Sequence, residues 1–170
     1  MGDLFGDWID PNQQSFTNPH FRSSYAFSIK EIIIHTIKMC PQHIFLFLTK
    51  CPRNLLKWSP FPGNCWVGAT AINSEAYSKA LLELDKVEAK VKYISFEPLL
   101  GNINIEGIDL ALSYGEPDIN WVIIGAQTFP NRQPEPGWVN TILNACNIAR
   151  VPVFMKDNLA WQYHRREMPK

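Results

Sequence analysis

The sequence predicts an α/β fold built on a mostly parallel sheet of about five strands. Five apolar runs recur, HIFLFLTK (43 to 50), CWVGAT (65 to 70), VKYISFEP (91 to 98), NWVIIGAQ (120 to 127) and VPVFMKDN (151 to 158). Each has strand length and is rich in β-branched or aromatic residues. Their starts, near 43, 65, 91, 120 and 152, lie 22, 26, 29 and 32 residues apart. That spacing fits strand, loop, helix and return rather than hairpins. Runs such as IFLFL and WVII are apolar on both faces, as parallel strands covered on both sides are.

The connecting segments read as helices in order. In FSIKEIIIHTIKMC, Ile29, Ile32, Ile33 and Ile37 follow a helical stripe that Pro41 stops. PRNLLKW after the first run predicts a short helix of two turns. A helix over about 74 to 88 starts at Asn73 or Ser74 and turns Tyr77, Leu81, Leu82 and Leu84 inward. A third, over about 137 to 149, buries Trp138, Ile142, Leu143 and Cys146, with Pro136 tolerated at its start. GNINI and the stretch 106 to 119 read as an inserted hairpin or loop. Residues 1 to 24 read as irregular, and 159 to 170 as a tail.

Length and composition set limits. The 170 residues form one domain, and 46% apolar with 19% charged residues describes a globular chain. Sixteen basic residues balance sixteen acidic ones, so no whole-molecule field draws the chain to nucleic acid or an anionic membrane. No run approaches the roughly 20 apolar residues of a membrane span, and MGDLFGDWIDP lacks signal-peptide character. The expected location is cytoplasmic. Cys40, Cys51, Cys65 and Cys146 are separated by 10, 13 and 80 residues and form no CxxC pair. The four histidines form no HxH or HxxxH pair, so no metal site is expected. GxSxG and P-loop signatures are absent.

In a parallel α/β fold the residues just after each strand converge on one face. Those residues here are Thr49 and Lys50, Gly68 and Thr70, Glu97, Gly125 and Gln127, then Lys156, Asp157 and Asn158. Asp3 joins them if GDLFG is itself a strand exit. Polar residues end strands in any such fold because loops are wet. Opposite charges gathered at one mouth are less costly to desolvate as mutual partners than singly, however. Gly68 and Gly125 would leave room for a ligand near the backbone. The expected catalytic candidates are Lys50, Glu97, Lys156 and Asp157; the expected cofactor-binding set is Asp3, Gly68, Thr70, Gly125 and Gln127.

At GDLFGDW, PQHIFLFLTKCPRN, NCWVGAT, FEPLLG, WVIIGAQT and VPVFMKDN the chain resembles phage-associated proteins placed among radical S-adenosylmethionine barrel proteins. The resemblance implies a partial (β/α) TIM-like barrel with its site at the strand C-terminal mouth. By position, Glu97 and Lys50 would meet the amino and carboxylate groups of S-adenosylmethionine, and Gly125 and Gln127 its nucleoside. Full-length relatives carry a loop of three cysteines for a [4Fe-4S] cluster upstream of the GDLFG segment. Neither that loop nor the strand before it stands in this sequence. The expectation is that Met1 is internal to a longer protein, or that a shortened chain binds without catalysing. Neither cluster nor S-adenosylmethionine is then expected as a working cofactor of this chain alone.

Partners follow from the same reading: a small-molecule ligand, and a second copy, the missing N-terminal segment or residues 7 to 24 covering the open sheet edge, with no membrane. Two rival functions remain. A nucleic-acid-linked module would use Lys156, Arg165, Arg166 and Lys170 beside Trp161 and Tyr163 in the tail. A metal-independent enzyme would use Lys50 or Lys156 with Glu97 as an acid–base pair.

Overall fold

A computed structural model describes residues 3–14, 27–103 and 119–170. Its centre is a five-stranded parallel sheet of β1 (Phe45–Thr49), β2 (Cys65–Thr70), β3 (Val91–Phe96), β4 (Trp121–Ile124) and β7 (Val153–Met155). A two-stranded antiparallel hairpin, β5 (Gln127–Thr128) and β6 (Asn131–Arg132), leaves β4 and had no counterpart in the sequence reading. Strands β1, β2, β3, β4 and β7 neighbour one another in chain order, and among the described residues the sheet does not close on itself. The described helices pack together on one face of the sheet, as parallel crossovers repeated in one direction require.

Three α-helices lie among the described residues: α1 (Ile29–Met39), α2 (Ser74–Asp85) and α3 (Pro136–Ala149), with a 3₁₀ helix over Pro52–Trp58. Ser28 and Glu31 form a reciprocal cap on α1, Ser28 Oγ accepting from Glu31 N and Ser28 N donating to Glu31 Oε2 at 2.8 Å. Asn73 Oδ1 accepts from Ala76 N at 3.0 Å to start α2. Two expected contacts are corrected. Ile32 is 42% exposed and Leu82 66% exposed, because the helix faces turned to the sheet carry Ile33 and Ile37, and Tyr77, Ala80 and Leu84. No described helix is long and apolar enough to cross a membrane.

Alternation along the strands divides the core in two. Cys65, Val67, Ala69, Ile94, Phe96, Val122, Ile124, Val153 and Met155 face the helices in the main core. Trp66, Val91, Tyr93 and Trp121 form a second cluster on the opposite face, flanked by Ile123 and Phe154.

Both edges show how the sheet ends. Residues 165–167 lie antiparallel beside β7: Met155 N donates to Arg165 O, Glu167 N to Val153 O, and Phe154 bridges Arg166. The segment expected as a tail therefore pairs with the sheet. At the other edge β2 is the only strand paired with β1 among the described residues. Of the 7 to 24 segment expected to cover that edge, 15 to 24 lie outside the described residues. The expected insert at 106 to 119 also lies outside them, apart from buried Ile119. Phe5 is buried against Phe47, Trp58 and Phe61, which fixes the N-terminal turns to the helix side.

Candidate functional site

The face of the sheet that no described helix covers carries side chains in layers set by the parallel register. Leu48, Gly68, Tyr93 and Trp121 share one level, and Thr70, Ser95, Ile123 and Phe154 the next. Beyond them, past the C-terminal ends of β3, β4 and β7, come Glu97, Gly125 and Lys156. Gly125 N donates to Phe96 O and Lys156 N to Ile124 O, so the backbone ladder continues to this level.

Gly125 explains how the outer two meet. A Cβ on it would lie 2.9 Å from Glu97 Cγ, so its missing side chain gives Glu97 its path across β4. Lys156 Nζ lies 2.8 Å from the Glu97 carboxylate. Asn158 braces the pair: its Nδ2 donates to Ala126 O at 2.8 Å and to Glu97 Oε1 at 3.4 Å, while its Oδ1 accepts from Ala126 N. Asn158 stood in the strand-end series but not in the predicted site. Its signal was its position two residues past Lys156, at the same strand exit.

Below the pair opens a cavity of about 350 Å³, walled by Leu48, Tyr93, Trp121, Ile123 and Phe154. Tyr93 and Trp121 pack 5.4 Å apart, and Trp121 meets Phe154 edge-on at 6.1 Å. Burial pushes the Tyr93 phenol above its ordinary pKa, so it stays neutral. Ser95 Oγ, in the same wall, is buried with no hydrogen-bond partner. A buried hydroxyl left unpaired costs roughly 1–3 kcal/mol, which a ligand polar atom would recover. Ser95 was missed because a serine inside YISF reads as a strand residue like its neighbours.

The other predicted residues take separate places. Asp3 fastens the N-terminal turn to the end of β1, accepting from Phe5 N at 2.9 Å, Thr49 Oγ1 at 2.7 Å and Lys50 N at 2.9 Å. Lys50 is exposed just past β1, and only its backbone joins that network. Thr70 is half-buried beside Ser95. Gln127 opens the β5–β6 hairpin and donates to Phe129 O at 3.1 Å. Asp157 turns away from Glu97 and Lys156 to pair with Arg166, its side chain 94% exposed. Gly68 opens no path to a ligand, since a Cβ there would meet the Tyr93 ring at 2.5 Å. The same holds for Gly125, whose space Glu97 occupies.

A family model for proteins of unknown function matches residues 15–170. The chain belongs to that family, DUF5131. No curated protein and no solved structure matches it significantly. The match covers all five strands of the sheet and both members of the Glu97–Lys156 pair.

The described residues do not fit a three-thiolate cluster. Cys40 caps α1, Cys51 follows β1, Cys65 begins β2 and Cys146 lies inside α3. No three His, Cys, Asp or Glu side chains gather to hold a metal among the described residues. Burial pushes the Cys65 thiol up to about 11 and the Cys146 thiol to about 12, against the thiolate form that ligation requires.

Proposed function

We propose that this DUF5131 chain binds a small zwitterionic ligand at the strand C-terminal mouth of a partial (β/α) barrel. The winding supports the barrel reading: sequential parallel strands with the described helices on one face share the winding of a closed (β/α) barrel, whose site lies at that mouth. The observation that carries the ligand reading is the Glu97–Lys156 pair set directly beside an aromatic cavity. A carboxylate and an ammonium side by side offer complementary charges to the amino and carboxylate groups of an amino acid moiety. Tyr93, Trp121 and Phe154 offer flat apolar surface to the rest, and Ser95 Oγ a buried hydrogen bond.

S-adenosylmethionine, the cofactor implied by the resemblance to phage-associated radical S-adenosylmethionine proteins, has this combination of groups. Lys156 would hold its carboxylate, Glu97 its amino group, and the aromatic wall its nucleoside. Since the four cysteines do not gather, the chain supplies binding and orientation rather than a cluster. We place it in the cytoplasm.

Calorimetric titration with S-adenosylmethionine, S-adenosylhomocysteine and methionine tests the reading. Binding of the first two, weakened at least about tenfold by Glu97→Gln and by Lys156→Met, is expected. Absence of heat at millimolar ligand, or equal affinity in both variants, overturns it. An acid–base role for the same pair rests on the same 2.8 Å contact and requires turnover, read by incubating the bound ligand and following its products.

A further inference from the structure

The strand N-termini, at the end of the sheet away from Glu97, surround a second cavity of about 630 Å³. Its walls come from the entries of β3 and β4, the connection from α3 to β7, and the last residues of the chain. Lys90, Arg150, Arg165 and Lys170 line it against one carboxylate side chain, that of Glu167. Positive charge is concentrated here on a chain whose sixteen basic and sixteen acidic residues cancel overall.

The four cations are not equivalent. Arg165 is committed: its Nε and Nη2 donate to Glu167 at 2.9 and 2.8 Å, and its Nη1 to Asn147 Oδ1 at 2.8 Å. Glu167 Oε2 also accepts from Val153 N at 2.9 Å, which fixes this wall to β7. Lys90 and Arg150 are exposed, and their side chains make no ion pair or hydrogen bond among the described residues. Arg150 moreover closes α3 in the left-handed region, φ 58° and ψ 31°. Glycine is the usual residue at that turn because an L side chain is strained there. The chain instead carries a guanidinium at the cavity rim. Val91, Val151 and Pro152 add an apolar wall.

We propose that this cavity binds an organic phosphate, its phosphoryl group held by Arg150 and Lys90 and its body set against Val91 and Pro152. The volume is that of a small-molecule site. The planar donor fork of arginine matches phosphate oxygens, and lysine adds a point charge. Cations placed only to answer the carbonyl end of α3 would stabilise the helix and bind nothing.

The test is an amide NMR titration of the whole chain with AMP, adenosine and inorganic phosphate at low salt. AMP is expected to shift Val91, Asn120, Asn147 and Val151, and adenosine to bind at least about tenfold more weakly. Arg150→Gly suits the left-handed turn, so its Tm should hold or rise while AMP affinity falls about tenfold or more. Lys90→Met should lower affinity in the same direction. No shift with AMP or phosphate at about 5 mM, a range that still detects millimolar binding, overturns the proposal. So does equal affinity in Arg150→Gly, or equal binding of adenosine and AMP. A single-stranded oligonucleotide binding far more tightly than AMP, with a steep fall in salt, would overturn the small-molecule assignment in favour of a nucleic-acid backbone. Shifts confined to Glu97 and Lys156 would locate the binding at the other mouth and overturn it here.

Discussion

The two faces of one sheet solve the packing problem in opposite ways. On the helix side, small and branched residues such as Cys65, Val67, Ala69 and Val153 leave the volume to α2, α3 and the 3₁₀ helix, and all are fully buried. On the other side the strands supply their own bulk: Trp66, Tyr93 and Trp121 pack edge-on and tilted across β2, β3 and β4, with no helix above them among the described residues. Burial on that face fades toward the β1 edge, where Leu46 and Leu48 are 49% and 42% exposed. One face is a finished core. The other is a partly open aromatic wall, with the Glu97–Lys156 pair at its end.

Substitutions should separate the faces by size of effect. Phe96→Ala, in the finished core, is expected to cost about 3–5 kcal/mol in chemical denaturation, whereas Leu48→Ala should cost about 1 kcal/mol or less. Equal costs would mean that Leu48 is covered in solution, and the contrast between the faces would disappear. Next in size, Gly68→Ala drives a methyl into the Tyr93 ring and should cost about 1–3 kcal/mol. The same change in a Tyr93→Leu background should cost less, since the two sites touch. Additive costs would show that Gly68 is not there for that ring.

The ion pair should behave differently from either face. Lys156 and Glu97 keep 45% and 22% of their side chains exposed, so solvent screens their attraction. Glu97→Gln is expected to change stability by about 1 kcal/mol or less, measured by thermal melting. A much larger loss would make the pair a structural brace of β3 and β7 and would remove the reason to assign it to a ligand.

How much was legible follows from which signals are one-dimensional. The five strands begin within two residues of their expected starts, because length, β-branching and spacing report directly on a parallel α/β pattern. The PRNLLKW turn and the three helices also emerged from local signals. Facing did not, since runs such as WVII and IFLFL are apolar at every level and alternate only in size. Thus Gly68 read as an opening for a ligand when its space belongs to Tyr93, and Asp157 read as a mouth residue when it turns to Arg166. Both depend on a neighbour about nine or more positions away. The antiparallel addition of residues 165–167 escaped for a similar reason: HRREM carries no strand signature, and its order comes from β7 and Glu167.

That last segment gives the smallest effect and a signed one. Glu167 is held below its ordinary value near 4.5, first by the Arg165 hydrogen bond, which outweighs the opposing effect of burial, with the Val153 N hydrogen bond and the Arg165 charge adding to the shift. A carboxylate whose folded pKa is depressed stabilises the fold above its unfolded pKa and loses that contribution as pH falls through the folded one. Docking of residues 165–167 on β7 should therefore be complete at neutral pH and weaken below about 4.5, the ordinary value from which the shift starts. Hydrogen exchange at Met155 and Glu167, whose amides make the antiparallel contacts, reads this directly. In Glu167→Gln the protection at these amides, exchange corrected for the intrinsic base-catalysed rate, should be lower at neutral pH and nearly independent of pH. A variant that keeps the parent's pH profile would assign the docking to Phe154 and Arg166, whose guanidinium lies 4.8 Å over the Phe154 ring, rather than to the carboxylate.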